Sequence, residues 1–398
     1  MRILQLTPKI PYPPDDGGKM GIFGITKYLA LRGHKITLLS ITTSDRTSDI
    51  TGLSKYCKIE SIVMDTTNNY IGMFLNMFSS APYTLSKYHG RPFLRKLNDV
   101  LRKKQFDIVH VDHLHMAYYG KFIKEYFGLP VVLREHNVES TIWERYCREI
   151  SNPLLKAYVL LQFKKVYRYE SKIVSHFDRC FMITEEDKKR IEIMNPRVKA
   201  CVIPAGVDTS FFYPLQVPIE PCSIVSVGAM DWLPNVEGAL WFIDKVWPLV
   251  KQKEPRSMLY VVGKNPPAEI TNLAREDIVV TGFVEDVRDY MAKAAVFIVP
   301  LKTGGGMRVK ILNALAMGKA IVSTSVGCEG IDVEHGKNIY IADTELEFAK
   351  GILELLEDSD KREKLGKEGI KLIQEKYQWE RIAEKVEEEY EKVLQERH

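Results

Sequence analysis

Strand and helix signals alternate twice along this chain, which predicts an α/β protein of two doubly wound halves. Three observations carry the prediction. At 398 residues the chain exceeds what one ordinary core supports. Short apolar runs recur between amphipathic stretches, the pattern of parallel strands covered on both faces. The alternation also breaks at a proline-rich segment near the middle and then restarts.

In order, RILQLT (2–7) reads as the first strand and MGIFGITKYLALRG (20–33) as a helix with a glycine stop at Gly33. KITLLSI (35–41), FDIVHV (106–111), PVVLRE (130–135) and RCFMIT (179–184) follow as buried strands. The segment 203–221 holds four prolines and interrupts the pattern. CSIVSVG (222–228) restarts it, then a helix over 236–252 and strands over 257–263, 277–282, 296–301 and 320–324. The predicted layout is a first domain over 1–204, a linker over 205–221, a second domain over 222–376 and a terminal helix over about 377–398. That helix carries Ile382, Val386, Tyr390 and Val393 on one face, suited to packing back across the domain junction.

Composition excludes several classes. Hydrophobic and charged contents of 45% and 27% rule out a fibrous or disordered chain. The six cysteines are scattered without a CxxC or a His/Cys cluster, which points to reduced thiols rather than a zinc or disulfide framework. Prolines at 8, 11, 13 and 14 interrupt the first apolar run, so no secretory leader is expected. No run of 18 apolar residues predicts a membrane span, so a cytoplasmic address is expected, with the inner face of the membrane as a variant. Charge is uneven: 32 basic against 20 acidic residues in 1–204, and 24 against 32 in 205–398. The first half is thus suited to an anionic neighbour, or simply has a basic solvated surface. No nucleic-acid module accompanies the charge, so no nucleic-acid partner is expected.

The most informative stretch is KTGGGMRVKILNALAMGKAIVST (302–324). Gly304, Gly305 and Gly306 follow a strand and precede a helix, so their backbone N–H groups are free to face an anion. Arg308 and Lys310 bring positive charge to the first helical turn, and Asn313 lies one turn deeper, able to bond a hydroxyl. Gly318 suits the helix stop. The plainer alternative is a glycine-rich surface loop before an ordinary helix. GxxxxGK[ST] is absent, and no GxGxxG follows a strand, so neither a P-loop nor a dinucleotide fingerprint is present. The first half has its own glycine loop, PYPPDDGGKMGIFG (11–24), with Gly17 and Gly18 before a helix. Two such loops suggest one phosphate-bearing ligand held between the halves.

PYPPDDGGKM, REHNVES, IPAGVDTSFFYP, SVGAMDWLPNVEGALWF and the long run TGFVEDVRDYMAKAAVFIVPLKTGGGMRVKILNALAMGKAIVSTSVGCEGI together resemble glycosyltransferase family 4. These are retaining enzymes of the GT-B fold, and the likeness spans almost the whole chain. The resemblance implies two Rossmann-like domains facing a central cleft and a C-terminal helix crossing back to the first. It implies a nucleotide-sugar donor held mainly by the second domain, an acceptor held mainly by the first, and no bound metal or other cofactor. Carried over by position, Gly17 and Gly18 approach the donor diphosphate, Arg308 and Lys310 neutralise it, and Gly228 ends the strand beneath it. Gly282, Phe283 and Val284 form the turn that meets the base. Three departures stand out. Gly305 and Asn313 replace a pair of glutamates, Ala229 and Asn235 replace an arginine and a lysine, and Asp112, with His113 beside it, replaces a histidine.

The expected chemistry is transfer of a sugar to an acceptor hydroxyl with retention, in cell-surface glycan or glycolipid synthesis. Arg308 and Lys310 would stabilise the departing pyrophosphate. Asp112, His113 and His136 would steer sugar or acceptor hydroxyls, with Glu135 and Glu139 in the same loop. A hydrogen-bonded scaffold role for the histidines is the alternative. The stretches 68–97 and 153–172 mix apolar, aromatic and basic residues, as in a surface resting on an anionic membrane or in core helices with a basic outer face. A carbohydrate or a lipid-linked glycan fits as acceptor. The rival functions are an NDP-sugar epimerase, a non-catalytic sugar-nucleotide-binding protein and a nicotinamide oxidoreductase.

Overall fold

The structure is a computed structural model that describes residues 1–43 and 50–397. It divides into two compact units. One comprises Met1–Pro204 together with the terminal helix from Trp379 onward, and the other comprises Ala205–Gln378.

The first unit is built on seven parallel strands: β1 (Arg2–Thr7), β2 (Lys35–Thr42), β3 (Cys57–Val63), β4 (Ile108–Asp112), β5 (Val131–Glu135), β6 (Arg179–Met182) and β7 (Ala200–Val202). Their order is β3-β2-β1-β4-β5-β6-β7, so the chain reverses its direction of travel between β1 and β4. Alternate side chains feed two cores. Leu4, Leu6, Val109, Val111 and Leu133 face Phe93, Leu97, Tyr119 and Ile123. Ile3, Ile108 and Val132 face Ile25, Leu29 and the apolar stripe of the helix Trp379–Gln395. That is why a terminal helix with mostly charged residues still folds here: its Ile382, Ala383, Val386, Tyr390 and Val393 are fully buried. Its polar edge is pinned by His34 to Glu387 (3.0 Å), Arg179 to Glu396 (2.7 Å) and Arg397 to Asp178 (3.1 Å). His398, the last residue of the helix expected from sequence, lies outside the described residues.

The second unit repeats the plan with six parallel strands: β8 (Glu220–Val227), β9 (Met258–Val262), β10 (Ile278–Gly282), β11 (Ala294–Val299), β12 (Ile321–Ser323) and β13 (Tyr340–Ile341). The order β10-β9-β8-β11-β12-β13 places its reversal between β8 and β11. Trp247, Phe242 and Phe348 fill the core on one face.

Several elements differ from the sequence expectation. The helix expected over 236–252 is broken in character: Leu233–Trp241 passes through a wide π turn, Phe242–Val246, into Trp247–Lys253. Pro248 cannot donate to the carbonyl four residues back, and the wider turn absorbs that missing bond. The segment 205–221, expected as a linker, is docked on the second unit. Val207 N–H donates to the Tyr377 carbonyl (2.8 Å), Phe212 is buried, and the Arg288 guanidinium lies 3.7 Å over the Phe211 ring. Strand β8 also begins inside that segment, at Glu220. Strands β3, β7 and β13 had no sequence expectation, because edge strands of two or three residues or of mixed polarity carry too weak a pattern.

The terminal helix is held by an absence. A Cβ on Gly24 would lie 2.1 Å from the Trp379 indole. Gly24→Ala is expected to lose about 2–3 kcal/mol in chemical denaturation by forcing the buried ring aside; a loss below about 0.5 kcal/mol would show that the indole does not depend on this contact.

Candidate active site

Ligands of doubly wound sheets bind beyond the carboxyl ends of the strands, where the strand order reverses. Each unit brings chemistry-bearing residues to that place.

In the second unit, β8 ends at Val227 and β11 at Val299, side by side. Gly228 leaves β8, and the glycine loop leaves β11. Lys310, in the helix Val309–Ala316, reaches back so that its Nζ donates to Asn235 Oδ1 (2.6 Å), while Asn235 Nδ2 donates to the Ala229 carbonyl (2.8 Å). A Cβ on Gly228 would sit 2.8 Å from Lys310 Nζ and 2.6 Å from Asn235 Nδ2, so only glycine leaves room for this pair. Burial, and then the neighbouring Arg308 charge, lower the Lys310 ammonium from its ordinary value to about 7. The ammonium is thus a cation short of counter-charge.

Arg308 is buried, its guanidinium 5.5 Å from the centre of the Trp232 ring and bonded to the carbonyls of Gly305 and Gly306. One sequence expectation changes here. Arg308 was placed in the first helical turn, but its backbone is extended and it forms the N-cap, with the helix starting at Val309. Gly304 (φ +115°) and Gly306 (φ +76°) take conformations that let the loop also offer carbonyls to the guanidinium. Gly304 also packs close: a Cβ there would lie 3.0 Å from Arg308 Nη2 and 3.2 Å from Trp232.

Asn313 is half-buried one turn beyond Lys310. Gly282 (φ +67°) ends β10, followed by exposed Phe283 and half-buried Val284. This turn shares the rim with Gly228 and the glycine loop but stands three strands from β11, each about 4.8 Å across. A ligand touching both must lie extended along the rim.

In the first unit, Gly17 and Gly18 open the helix Gly17–Leu31 just after β1, and Asp112 and His113 end β4, the neighbouring strand. Asp16 caps the helix by accepting from Lys19 N–H (2.8 Å) and pairs with Lys9 (2.7 Å). A Cβ on Gly18 would lie 3.2 Å from Asp16 Oδ1 and in ordinary contact, 3.7 Å, with the His113 ring, so the helix start and the imidazole are neighbours. His113 has φ +67° and stacks on His136 with ring centres 3.9 Å apart. His136 Nε2–H donates to Asp112 Oδ1 (3.2 Å).

Asp112 is fully buried at the centre of a network. Gln5 Nε2 donates to its Oδ2 (2.8 Å), Thr26 donates to Gln5 Oε1 (2.8 Å), and His110 lies 3.5 Å away while bonding the Tyr390 hydroxyl. Burial alone would raise the Asp112 carboxyl; the imidazoles of His110 and His136 outweigh it and hold it well below the usual carboxylate range. Burial pushes His136 down to about 4, so at neutral pH it is a neutral donor to an anionic aspartate. His113 is lowered as well, by burial and then by His136. The pair Asp112 and His136 thus behaves as an oriented hydrogen-bonding device rather than a proton store.

Some partners were not visible in sequence: Gln5 and Thr26, which fix Asp112; Trp232, which covers Arg308; and Glu237, which accepts from Thr303 in the glycine loop (2.7 Å). They are ordinary residues whose role arises only from long-range contact. Among the described residues one group has metal-ligand composition, His113, His115 and Glu139, with donor atoms within 4.8 Å of one another.

Glu135 and Glu139 belong to a buried carboxyl cluster with Glu170, which accepts from the N–H groups of Glu139 (2.7 Å) and Ser140 (3.0 Å). Burial and then the Glu170 charge raise Glu139 to about 8. A raised carboxyl keeps its proton in the fold while the unfolded chain loses it above about pH 4.5, so this group costs stability as pH rises toward 8. Glu139→Gln is therefore expected to gain about 1–3 kcal/mol at pH 8 and almost nothing at pH 5, by denaturation at both pH values. An advantage that is equal at both would refute the assignment.

Two family models match the chain: the one described as Glycosyltransferase Family 4 over residues 16–211, and the one described as Glycosyl transferases group 1 over residues 221–358. An uncharacterized 44.6 kDa protein in the cps region of Klebsiella pneumoniae is 24% identical over 94% of this chain and 96% of its own length. Among solved structures, a sucrose-phosphate synthase from Thermosynechococcus elongatus matches with a TM-score of 0.75 at 17% identity, over 99% of each chain. Anabaena HepE, solved with UDP, matches with a TM-score of 0.72 at 13% identity, over 98% of this chain and 100% of its own; it has also been solved with UDP-glucose. The family matches together run through both units, the structural likenesses give the same two-sheet fold, and the chain belongs to the family 4 glycosyltransferases of the GT-B fold.

Proposed function

We propose that this protein is a retaining glycosyltransferase that moves a hexose-like sugar from a nucleoside-diphosphate sugar to an acceptor hydroxyl in polysaccharide or glycolipid synthesis. The observation that carries the reading is the undercompensated ammonium of Lys310 beside Arg308, at the strand-order reversal of the second unit. A diphosphate supplies the missing counter-charge. The cps-region relative supports polysaccharide synthesis, and the UDP and UDP-glucose complexes of HepE support a nucleotide-sugar donor.

The step breaks the bond between the anomeric carbon and the phosphate oxygen and forms one to the acceptor oxygen on the same face. The acceptor proton passes to the departing phosphate. Lys310 and Arg308 stabilise the charge that grows on that phosphate, a term worth about 3 kcal/mol per well-placed donor. Because these cations do the neutralising, the reading needs no bound metal. The turn Gly282–Val284 meets the base and Asn313 the ribose. Asp112 is not the nucleophile of a double displacement, since it is fully buried and both its oxygens are engaged. It holds His136 instead, and His136 with His113 orients sugar hydroxyls.

The acceptor is a carbohydrate or a lipid-linked glycan rather than a nucleic acid, and the work is done at the cytoplasmic face of an anionic membrane by peripheral contact. No helix among the described residues is long and apolar enough to cross a membrane.

Lys310→Ala is expected to weaken UDP binding by roughly tenfold or more in calorimetry, the scale of one charge-assisted contact. His136→Asn should leave binding intact and slow transfer. Binding must also recharge Lys310, so in the parent protein affinity should fall as pH rises from 7.5 to 9, with proton uptake seen as a buffer-dependent heat. Unchanged UDP affinity in Lys310→Ala would remove the donor assignment, and donor turnover without any acceptor would favour an epimerase.

A further inference from the structure

The helix Tyr70–Asn76 and the turn after it are packed inside out. Tyr70 is 87% exposed, Ile71 72%, Phe74 59%, Leu75 62% and Phe78 81%, whereas the residue facing inward is the polar Asn76. Large apolar side chains grouped this way mark an interaction surface rather than scattered surface residues.

The platform is firmly attached. Gln162 Nε2 donates to Asn76 Oδ1 (3.0 Å), and Lys165 Nζ donates to the carbonyls of Asn76 (2.5 Å) and Met77 (3.4 Å). Asn69 caps the helix by accepting from the N–H groups of Ile71 and Gly72, and its own N–H donates to the Tyr83 hydroxyl (2.7 Å). Polar contacts therefore point at the protein and apolar side chains at the surroundings.

The helix beneath the patch supplies mainly basic charge. Between Asp65 and Lys87 no residue is charged. The helix Pro153–Ile173, on which the patch is anchored, carries no acid before Glu170, and its exposed residues include Lys156, Lys164, Arg168 and an 83% exposed Leu154. Insertion of apolar side chains beside exposed cations is the combination that binds an anionic lipid surface: the rings enter the acyl boundary and the cations meet lipid phosphates.

We propose that the helix Tyr70–Asn76 with Phe78 is an insertion element that docks the first unit on an anionic lipid bilayer, with Lys156, Lys164 and Arg168 contacting the headgroups. The proposal rests on the membrane-contact part of the proposed function and is independent of the chemistry at Lys310. It would hold the acceptor-binding unit at the surface where a lipid-linked acceptor resides.

The test is flotation of the full chain with phosphatidylcholine vesicles prepared with and without phosphatidylglycerol. The parent protein should float with the anionic vesicles only. Phe74→Ser/Phe78→Ser and Lys156→Glu/Lys164→Glu should each reduce the bound fraction about tenfold. UDP calorimetry on the same variants should be unchanged, which separates failure of docking from failure of the donor site. If the phenylalanine variant does not fold, the exposed lysine variant decides. A parent that stays with free protein, or variants that float equally, would overturn the proposal. So would a dimer in light scattering that Phe74→Ser/Phe78→Ser dissociates, since a second copy would then cover the face.

Discussion

One half-buried ammonium organises the second unit's rim. Lys310 reaches from a helix that follows β11 to an asparagine that follows β8, and so ties together the two strands at which the sheet reverses. The tie exists because residue 228 has no side chain; a Cβ there would enter the space of both partners. A second close approach runs alongside, where a Cβ on Gly263 would lie 1.8 Å from the Gly228 carbonyl. The three loop starts at the ends of β8, β9 and β11 are therefore mutually fitted, and the cost is a cation kept in a site that lowers it to about 7. An anion arriving at such a site favours the charged form of the lysine and so takes up a proton that a solvated lysine would already carry.

The first unit solves a different problem at its own reversal. There the buried charge is negative and fully surrounded: Asp112 receives Gln5, His136 and the neighbourhood of His110, and His110 in turn bonds Tyr390 of the terminal helix. The residue that orients His136 is thus anchored from β1, β4 and the last helix of the chain. Arg134, buried on β5, adds a bond from Nη1 to the Gly21 carbonyl (3.0 Å) and so fixes the helix that Gly17 and Gly18 begin. Removing the terminal helix would strip this network of one wall, which gives a charged C-terminal segment a direct route to the active-site geometry.

Much of this was readable in sequence, for a physical reason. Buried parallel strands must be continuous apolar runs, so RILQLT, VFIVPL and AIVST are recognisable alone, and the proline-rich break near 204 marks a real change of unit. Glycines at strand ends were visible too, because a missing side chain is itself a signal. What sequence could not supply was partnership. The Lys310–Asn235 bond spans 75 positions, and the Gln5–Asp112 bond spans 107. Nor could it orient the loop peptides: three glycines allow either N–H or carbonyl groups inward, and the buried Arg308 guanidinium selects carbonyls. The short edge strands were lost because two or three residues carry no period, and the π turn because its cause, Pro248, reads equally well as an ordinary helix start.

The departures from the family pattern at 229, 235, 305 and 313 then form one consistent set. A glutamate at 313 would lie three residues from Lys310 on the same helix, close enough to pair with it and hold it fully charged. Asparagine cannot do so, and Asn235, where the family usually places a cation, offers Lys310 only a neutral oxygen. Gly305 likewise brings no carboxylate to Arg308, which turns to the loop carbonyls instead. Each change removes a charge, and the removals balance: two acids and two bases are gone. The rim is neither stripped nor overloaded. Positive charge in this set now rests on Arg308 and Lys310, and an anion bound beside them would raise Lys310 back toward its ordinary value.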